Sequence, residues 1–125
     1  MSTPQPFRVL ALVPEVLTNV RLESGVQRVG GFLQVADTPQ AFFVELEAAP
    51  PDLAVIDLAL DWVDLTSVVK ACESAGVPLL AFGPHVDTGA LRAARAAGVD
   101  FVYPRSKLLS DVAGTIREAM SGARA

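Results

Sequence analysis

The chain has 125 residues, of which 51% are hydrophobic and 19% are charged, and its formal net charge is −4. This length fits one folded domain, and the apolar fraction is too high for a disordered chain. The longest apolar stretches, such as residues 53–60, fall far short of the roughly 20 residues that a membrane helix needs. One cysteine excludes an internal disulfide and a cysteine zinc site. We therefore expect a flexible N-terminus over residues 1–6, one domain over residues 7–121 and a tail over residues 122–125.

The N-terminus and the charge distribution limit the location and the partners. Residues 1–6 contain neither the basic nor the apolar segment of a secretion signal, so we expect a cytoplasmic protein. Residues 1–64 carry a net charge of −6 and residues 65–125 a net charge of +2. An acidic chain is a poor non-specific ligand for nucleic acid. The basic half could still contact an acidic partner, including the acidic half of another copy.

The first half of the chain alternates strand-like and helical segments. Residues 7–13 are nearly all apolar, which predicts a strand covered on both faces. A helix is predicted over about residues 15–28, and Gly25 weakens the prediction for its second half. After Gly30-Gly31, residues 32–36 predict a second strand. The sequence Asp37-Thr38-Pro39 then predicts the cap and first turn of a second helix.

The second half continues the same alternation. Three more strands are predicted over residues 53–57, 77–82 and 99–103. Three more helices are predicted from Leu65 to Gly76, from Asp87 or Thr88 to Gly98, and over about residues 107–120. Cys72 lies on the apolar stripe of the third helix, which predicts a core residue. Five strands that alternate with five helices through short connections predict an α/β domain, a doubly wound parallel sheet with helices on both faces.

In open sheets of this kind ligands bind beyond the carboxyl ends of the strands. That rule selects four segments, which are Val13-Pro14-Glu15, Asp57-Leu58, Gly83-Pro84-His85 and Pro104-Arg105-Ser106. Asp57 is the most informative residue, because a carboxylate at the end of an apolar strand is costly unless it is solvated, paired or used. A wet strand end that caps the next turn is the alternative explanation.

The remaining polar groups near this edge have two interpretations each. His85 could be a ligand or a general base, or it could pack within its loop. Arg105 could reach an anion, or it could form a surface ion pair of little energetic value. Asp61 and Asp64 could add negative charge near Asp57, and Asp64 could equally cap a helix. No glycine-rich phosphate motif and no HExxH zinc motif is present, and we expect no metal site.

Two segments resemble the receiver domain of bacterial two-component response regulators. Pro51-Asp52-Leu53-Ala54-Val55-Ile56-Asp57-Leu58 resembles the family's third strand, and Ala97-Gly98-Val99-Asp100 resembles the turn that enters its fifth strand. The resemblance extends from about Phe7 to Met120. It implies a flavodoxin-like sheet of order 2-1-3-4-5, with Asp57 as the phospho-acceptor.

The rest of the family's active site is incomplete in this sequence. The acid pair that holds Mg²⁺ in the family falls on Val13 and Pro14, with Glu15 one position later. The family's hydroxyl residue falls on Gly83 and its lysine on Arg105, which keeps the charge but not the geometry. Its switch aromatic falls on Val102, so that Tyr103 faces the other way. Phosphoryl transfer needs Mg²⁺ to neutralise developing charge, and Asp57 alone is a poor Mg²⁺ site.

The resemblance therefore implies a pseudo-receiver that signals by binding a protein partner, without cofactor or enzymatic activity. The alternatives are a phospho-accepting response regulator that binds Mg²⁺ when Asp57 is phosphorylated, and a small-ligand or enzymatic domain that uses Asp57, His85 and Arg105. In the family the fourth-helix, fifth-strand and fifth-helix face often binds partners, and here mixed charge on this face suits a symmetric homodimer. The candidate residues of this face are Arg92, Arg95, Asp100, Tyr103, Lys107, Asp111 and Glu118. We expect no contact with nucleic acid or membrane.

Overall fold

The computed structural model describes residues 6–59, 64–84 and 88–122. Five parallel strands form one sheet of order β2-β1-β3-β4-β5. The strands are β1 (Phe7–Leu12), β2 (Gly31–Val35), β3 (Leu53–Asp57), β4 (Leu79–Gly83) and β5 (Phe101–Pro104). The helices are α1 (Val16–Arg28), α2 (Pro39–Ala48), α3 (Leu65–Ala75), α4 (Thr88–Ala97), α5 (Arg105–Ser110) and α6 (Val112–Gly122). The predicted fold class and strand order are confirmed.

Helices cover both faces of the sheet, and each face has its own apolar core. On one face α2, α3 and α4 pack around residues such as Leu12, Ile56 and Cys72. On the other face α1, α5 and α6 pack around residues such as Val55 and Phe82. The central strands β3 and β4 are buried along their whole length, which explains why their sequences are apolar without alternation. Cys72 is a core residue, as predicted, and is 2% exposed.

Two strands begin later than predicted because the preceding residues finish a helix. Gly76 and Gly98 adopt left-handed φ values of 71° and 102° at the ends of α3 and α4. The amides of the next residues, Val77 and Val99, then donate to carbonyls of the helix, at 2.9 Å to Cys72 and 3.2 Å to Ala94. These are C-capping hydrogen bonds, so the apolar valines belong to the helix ends. The strands start only at Leu79 and Phe101.

The prediction of one final helix over residues 107–120 is wrong. Helix α5 ends at Ser110, Asp111 has extended backbone angles of −155° and 74°, and α6 starts at Val112. The Asp111 carboxylate accepts the amide of Gly114 at 3.0 Å, which makes Asp111 the N-cap of α6. A continuous apolar periodicity hides this interruption, because both helices bury the same side.

Helix α1 approaches α6 closely at one glycine. A Cβ atom built at Gly25 would overlap the side chain of Val112. Glycine therefore stands at this position because a side chain would force α1 and α6 apart. Among the described residues, no helix has both the length and the apolarity that a membrane crossing requires.

Candidate functional site

The site is built around Asp57, the last residue of β3, at the carboxyl edge of the sheet. Asp57 is 4% exposed. Its Oδ1 accepts the backbone amide of Ala59 at 2.9 Å, and its Oδ2 lies 3.6 Å from Nη1 of Arg105. The carboxylate is thus satisfied on one side by the turn that follows the strand and on the other by a cation. A buried carboxylate is tolerated only with such partners.

Arg105 is the first residue of α5, directly after β5, and its guanidinium joins three parts of the chain. Nη2 contacts the Glu15 carboxylate and the Thr18 hydroxyl at the start of α1, while Nη1 faces Asp57. The guanidinium carbon lies 5.5 Å from the ring centroid of Phe82, within cation–π range. The result is one cation held between two carboxylates and over an aromatic ring.

The loop between β1 and α1 is held in place by hydrogen bonds, and it carries Glu15 to its contact with Arg105. Asn19 donates from Nδ2 to the carbonyl of Val13 at 2.8 Å, which ties the loop to the helix. Glu15 precedes α1, and the hydroxyl of Thr18, which is 2% exposed, donates to its carboxylate. Val13 is buried in the core and Pro14 is exposed, so Glu15 is the loop residue that contacts the cation.

Gly83 ends β4 beside this cluster without contributing a polar group. A Cβ atom at this position would lie 3.3 Å from Cβ of Leu58 and 3.6 Å from Cδ2 of Leu91. Both contacts are with apolar side chains, and the first is tight. A side chain at this position would therefore require Leu58 to shift by a few tenths of an ångström.

Not all of the predicted site residues gather here. Asp64 instead caps α3, where its carboxylate accepts the Thr66 amide at 3.1 Å and the Ser67 hydroxyl at 2.9 Å. Asp61 and His85 lie outside the described residues, so the ligand site predicted around His85 stays a prediction. Thr18 and Phe82 were missed by the sequence reasoning. The spacing of three between Glu15 and Thr18 was the available signal, because it fits one helical turn.

The donor set does not fit Mg²⁺. The ion takes six oxygen ligands in near-ideal octahedral geometry, with at least one free carboxylate. Here the carboxylates of Glu15 and Asp57 already share the guanidinium of Arg105. Across residues 6–59, 64–84 and 88–122, no group of three His, Cys, Asp or Glu side chains could hold a metal ion. Arg105 therefore occupies the two carboxylates that Mg²⁺ would use as ligands.

The predicted partner face is largely engaged inside the chain. Arg95 donates to the Val102 carbonyl at 3.4 Å, Asp100 accepts the Leu79 amide at 2.8 Å, and Asp111 caps α6. The Tyr103 hydroxyl donates to the Glu118 carboxylate at 2.7 Å. The Lys107 ammonium lies 5.4 Å from the Tyr103 ring centroid. Arg92 is exposed on α4.

Tyr103 and Val102 face opposite sides of the sheet. Tyr103 is 8% exposed and packs with the α1, α5 and α6 core, whereas Val102 packs against the α2, α3 and α4 core. Burial, together with the hydrogen bond to and the negative charge of Glu118, raises the pKa of Tyr103 to about 12. The hydroxyl therefore stays protonated well above neutral pH.

No protein-family model matches this sequence, and no curated protein is similar to it. Solved structures are similar, however. A response regulator from Thermotoga maritima has a TM-score of 0.81 at 15% identity, over 94% of this chain and 99% of that chain. A CheY-like receiver domain protein from Methanospirillum hungatei has a TM-score of 0.79 at 16% identity, over 96% and 98%. The Francisella response regulator 1452 receiver domain has a TM-score of 0.76 at 14% identity, over 92% of this chain and 97% of that chain. The fold of this chain is that of response regulator receiver domains.

Proposed function

We propose that this protein is a cytoplasmic pseudo-receiver, a signalling module that binds a protein partner without a phosphate cycle at Asp57 and without enzymatic activity. The observation that carries this proposal is the position of Arg105. Its guanidinium already pairs with both the Glu15 and the Asp57 carboxylate. An acyl phosphate on Asp57 would need a metal ion to offset its charge, and that ion would compete with Arg105 for these carboxylates.

The surroundings of Asp57 support the same conclusion. A receiver that responds to phosphate needs a hydroxyl and an aromatic group that sense it, and the two positions where the family carries them hold Gly83 and Val102. Gly83 has no hydroxyl and packs against Leu58, and Val102 is an aliphatic core residue. Both positions therefore lack the groups that would couple phosphate at Asp57 to a change of state, which favours signalling through a partner that does not depend on phosphorylation.

A ¹⁵N NMR titration with Mg²⁺ and then with beryllofluoride, a mimic of the acyl phosphate, tests this proposal. We expect no shift changes at Asp57, Gly83 and Arg105 with either reagent, and the same silence in Asp57→Asn. Shifts at those residues that disappear in Asp57→Asn would overturn the proposal. Unchanged protein mass after incubation with acetyl phosphate and Mg²⁺ is the independent check.

A second candidate function is phospho-acceptance by Asp57, which one observation favours. The Asp57 carboxylate sits at the carboxyl edge of the sheet with a guanidinium 3.6 Å away, and guanidinium binds phosphate well. In that mechanism Arg105 would move from Glu15 to the phosphoryl oxygens. The Arg105→Gln variant separates the two functions. In this mechanism it would lose the mass increase that a phosphoryl donor produces, whereas a pseudo-receiver shows no such increase with or without the substitution.

A further inference from the structure

Apolar side chains are exposed where α1 borders β2. Val16, Leu17 and Val20 of α1 are 72%, 74% and 57% exposed. Phe32 and Val35 of β2 are 46% and 38% exposed. Within the described part of the chain these are five of the six large apolar residues with such exposure. Contiguous apolar surface marks a place where another surface binds.

Between the two elements lies a groove of about 330 Å³ that continues this surface inward. Val16 and Val20 line it from α1, and Leu33 and Val35 line it from β2. Phe32 has the opposite orientation, because successive side chains of a strand point to opposite faces. The apolar surface therefore wraps around the edge of the sheet, on both faces of β2.

Strand β2 also presents an open backbone edge. The Ala36 amide donates to the Ala11 carbonyl of β1 at 2.8 Å. Since backbone groups alternate along a parallel pair, Phe32 and Gln34 face β1 as well, and the N–H and C=O groups of Gly31, Leu33 and Val35 point outward. In the described structure no strand lies beyond β2.

This edge lacks the devices that keep sheet edges from pairing. Residues 29–36 contain no charge and no proline, although lysine, proline and short length are the usual protections. The opposite edge strand, β5, has four residues and ends in Pro104, and Arg95 donates to its Val102 carbonyl. One edge of the sheet is protected and the other is open.

We propose that the β2 edge is the interface of a two-fold symmetric homodimer, in which β2 pairs antiparallel with β2 of a second copy. With Leu33 at the two-fold axis, Gly31 of each copy lies opposite Val35 of the other. Their outward N–H and C=O groups then bond in pairs. Phe32 of one copy lies opposite Gln34 of the second copy, so the exposed ring is covered.

The same arrangement covers the apolar face of α1. Helix α1 packs over the β1 and β2 side of the sheet, where Leu22 and Val26 share a core with Val9 and Leu33. Strands are spaced about 4.8 Å apart, so α1 and its counterpart would lie about 10 Å apart across the axis. Helices pack at distances of about 8–10 Å. Val16 and Val20 would then be buried between the two helices.

Charge at the two ends of the edge favours this orientation over others. Arg28 is exposed at the end of α1 that precedes β2, and Asp37 is exposed just after β2. Antiparallel pairing brings the Arg28 end of one copy to the Asp37 end of the second copy. A parallel arrangement would place like charges together, and a foreign helix in the groove would leave the β2 backbone unpaired. The two ends of the edge are therefore complementary in charge across the two-fold axis.

Sedimentation velocity of the full chain over a concentration series tests the proposal. We expect a dimer that Val20→Asp abolishes, because a charge replaces a residue at the helix contact. Arg28→Glu and Asp37→Lys should each weaken the dimer about tenfold, since each converts two attractive contacts into repulsive ones. The double variant should restore it. Val44→Asp, at the 64% exposed apolar residue of α2, is the matched control and should leave the dimer unchanged.

Hydrogen exchange measured by NMR identifies the pairing itself. The amides of Gly31, Leu33 and Val35 should be protected in the dimer and exchange rapidly in Val20→Asp. Amides of Phe32 and Gln34, which already bond within the sheet, should be protected in both. Circular dichroism confirms that each variant is folded, which the exposure of every substituted residue leads us to expect.

Four outcomes would overturn the proposal. A monomer at millimolar concentration would do so, as would a dimer that Val20→Asp and the charge variants leave unaffected. A dimer that instead dissociates in the α4 variant Arg92→Glu with Arg95→Glu would assign the interface to the other side of the sheet. Protection of Gly31, Leu33 and Val35 only after a different protein is added would assign the edge to that protein.

Discussion

The contact between Arg105 and Asp57 should contribute measurably to stability, and a double-mutant cycle isolates it. At the 3.6 Å separation of Nη1 and Oδ2, two unit charges attract by about 5 kcal/mol at an effective dielectric constant of 20. The costs of desolvating Asp57 and ordering the arginine oppose this attraction. We therefore expect a net coupling energy of about 1–2 kcal/mol.

The cycle uses Arg105→Gln, Asp57→Asn and the double variant, each measured by urea unfolding with constant m-values. A second cycle, with Glu15→Gln in place of Asp57→Asn, is the matched control. The Glu15 side chain is 56% exposed against 5% for Asp57, so its coupling to Arg105 should stay below about 1 kcal/mol.

The difference in burial between the two carboxylates makes this comparison decisive. A coupling below about 0.3 kcal/mol for Asp57, or a larger one for Glu15 than for Asp57, would refute the reasoning, because the solvent-screened pair should be the weaker of the two. It would also remove the energetic basis for regarding Arg105 as the resident cation of the site.

Three further predictions concern the surrounding fold. Burial, with the charges of Asp100 and Glu73, raises the pKa of Cys72 to about 12, so the native thiol should resist DTNB at pH 8. The stability that its neutral form contributes below pH 9 should be lost as pH rises towards 12, and Cys72→Val should remove this pH dependence of the free energy of unfolding. The absorbance of the single tyrosine, Tyr103, should titrate near pH 12, and a midpoint near 10 would contradict its burial. Asp111→Ala should lower the free energy of unfolding by about 1 kcal/mol and Asp111→Asn by much less, as measured in urea, because the N-cap of α6 is lost only in the first.

Local sequence signals predicted most of the fold because each element carries its own pattern. The apolar runs of β3 and β4 and the glycine stops at Gly76 and Gly98 are readable within a few residues. The interruption at Asp111 was missed, since both flanking helices continue one apolar stripe and an aspartate within it looks like a solvent-facing residue. Its role as a cap depends on a backbone angle that periodicity does not report.

The site was predicted as separate residues but not as an arrangement. Asp57 stood out because a carboxylate ended an apolar strand. The contact of Arg105 with Glu15 spans 90 positions and requires the sheet to bring the β1 and β5 ends together. The sequence placed Asp57 and Arg105 at one edge of the sheet and left open whether Arg105 reaches an anion or forms a surface ion pair. Only the geometry shows that the Asp57 and Glu15 carboxylates share the guanidinium of Arg105.

The close approach of Gly25 to Val112 also bears on the order in which the chain can assemble. A glycine in its second half weakens the intrinsic stability of α1, so this helix depends on tertiary contacts to persist. Its contact residue follows it by 87 positions, from 25 to 112. During synthesis on the ribosome, α1 emerges early but can pack against α6 only after nearly every other element has been made. The first helix of the chain therefore lacks part of its packing until the last helix has been made.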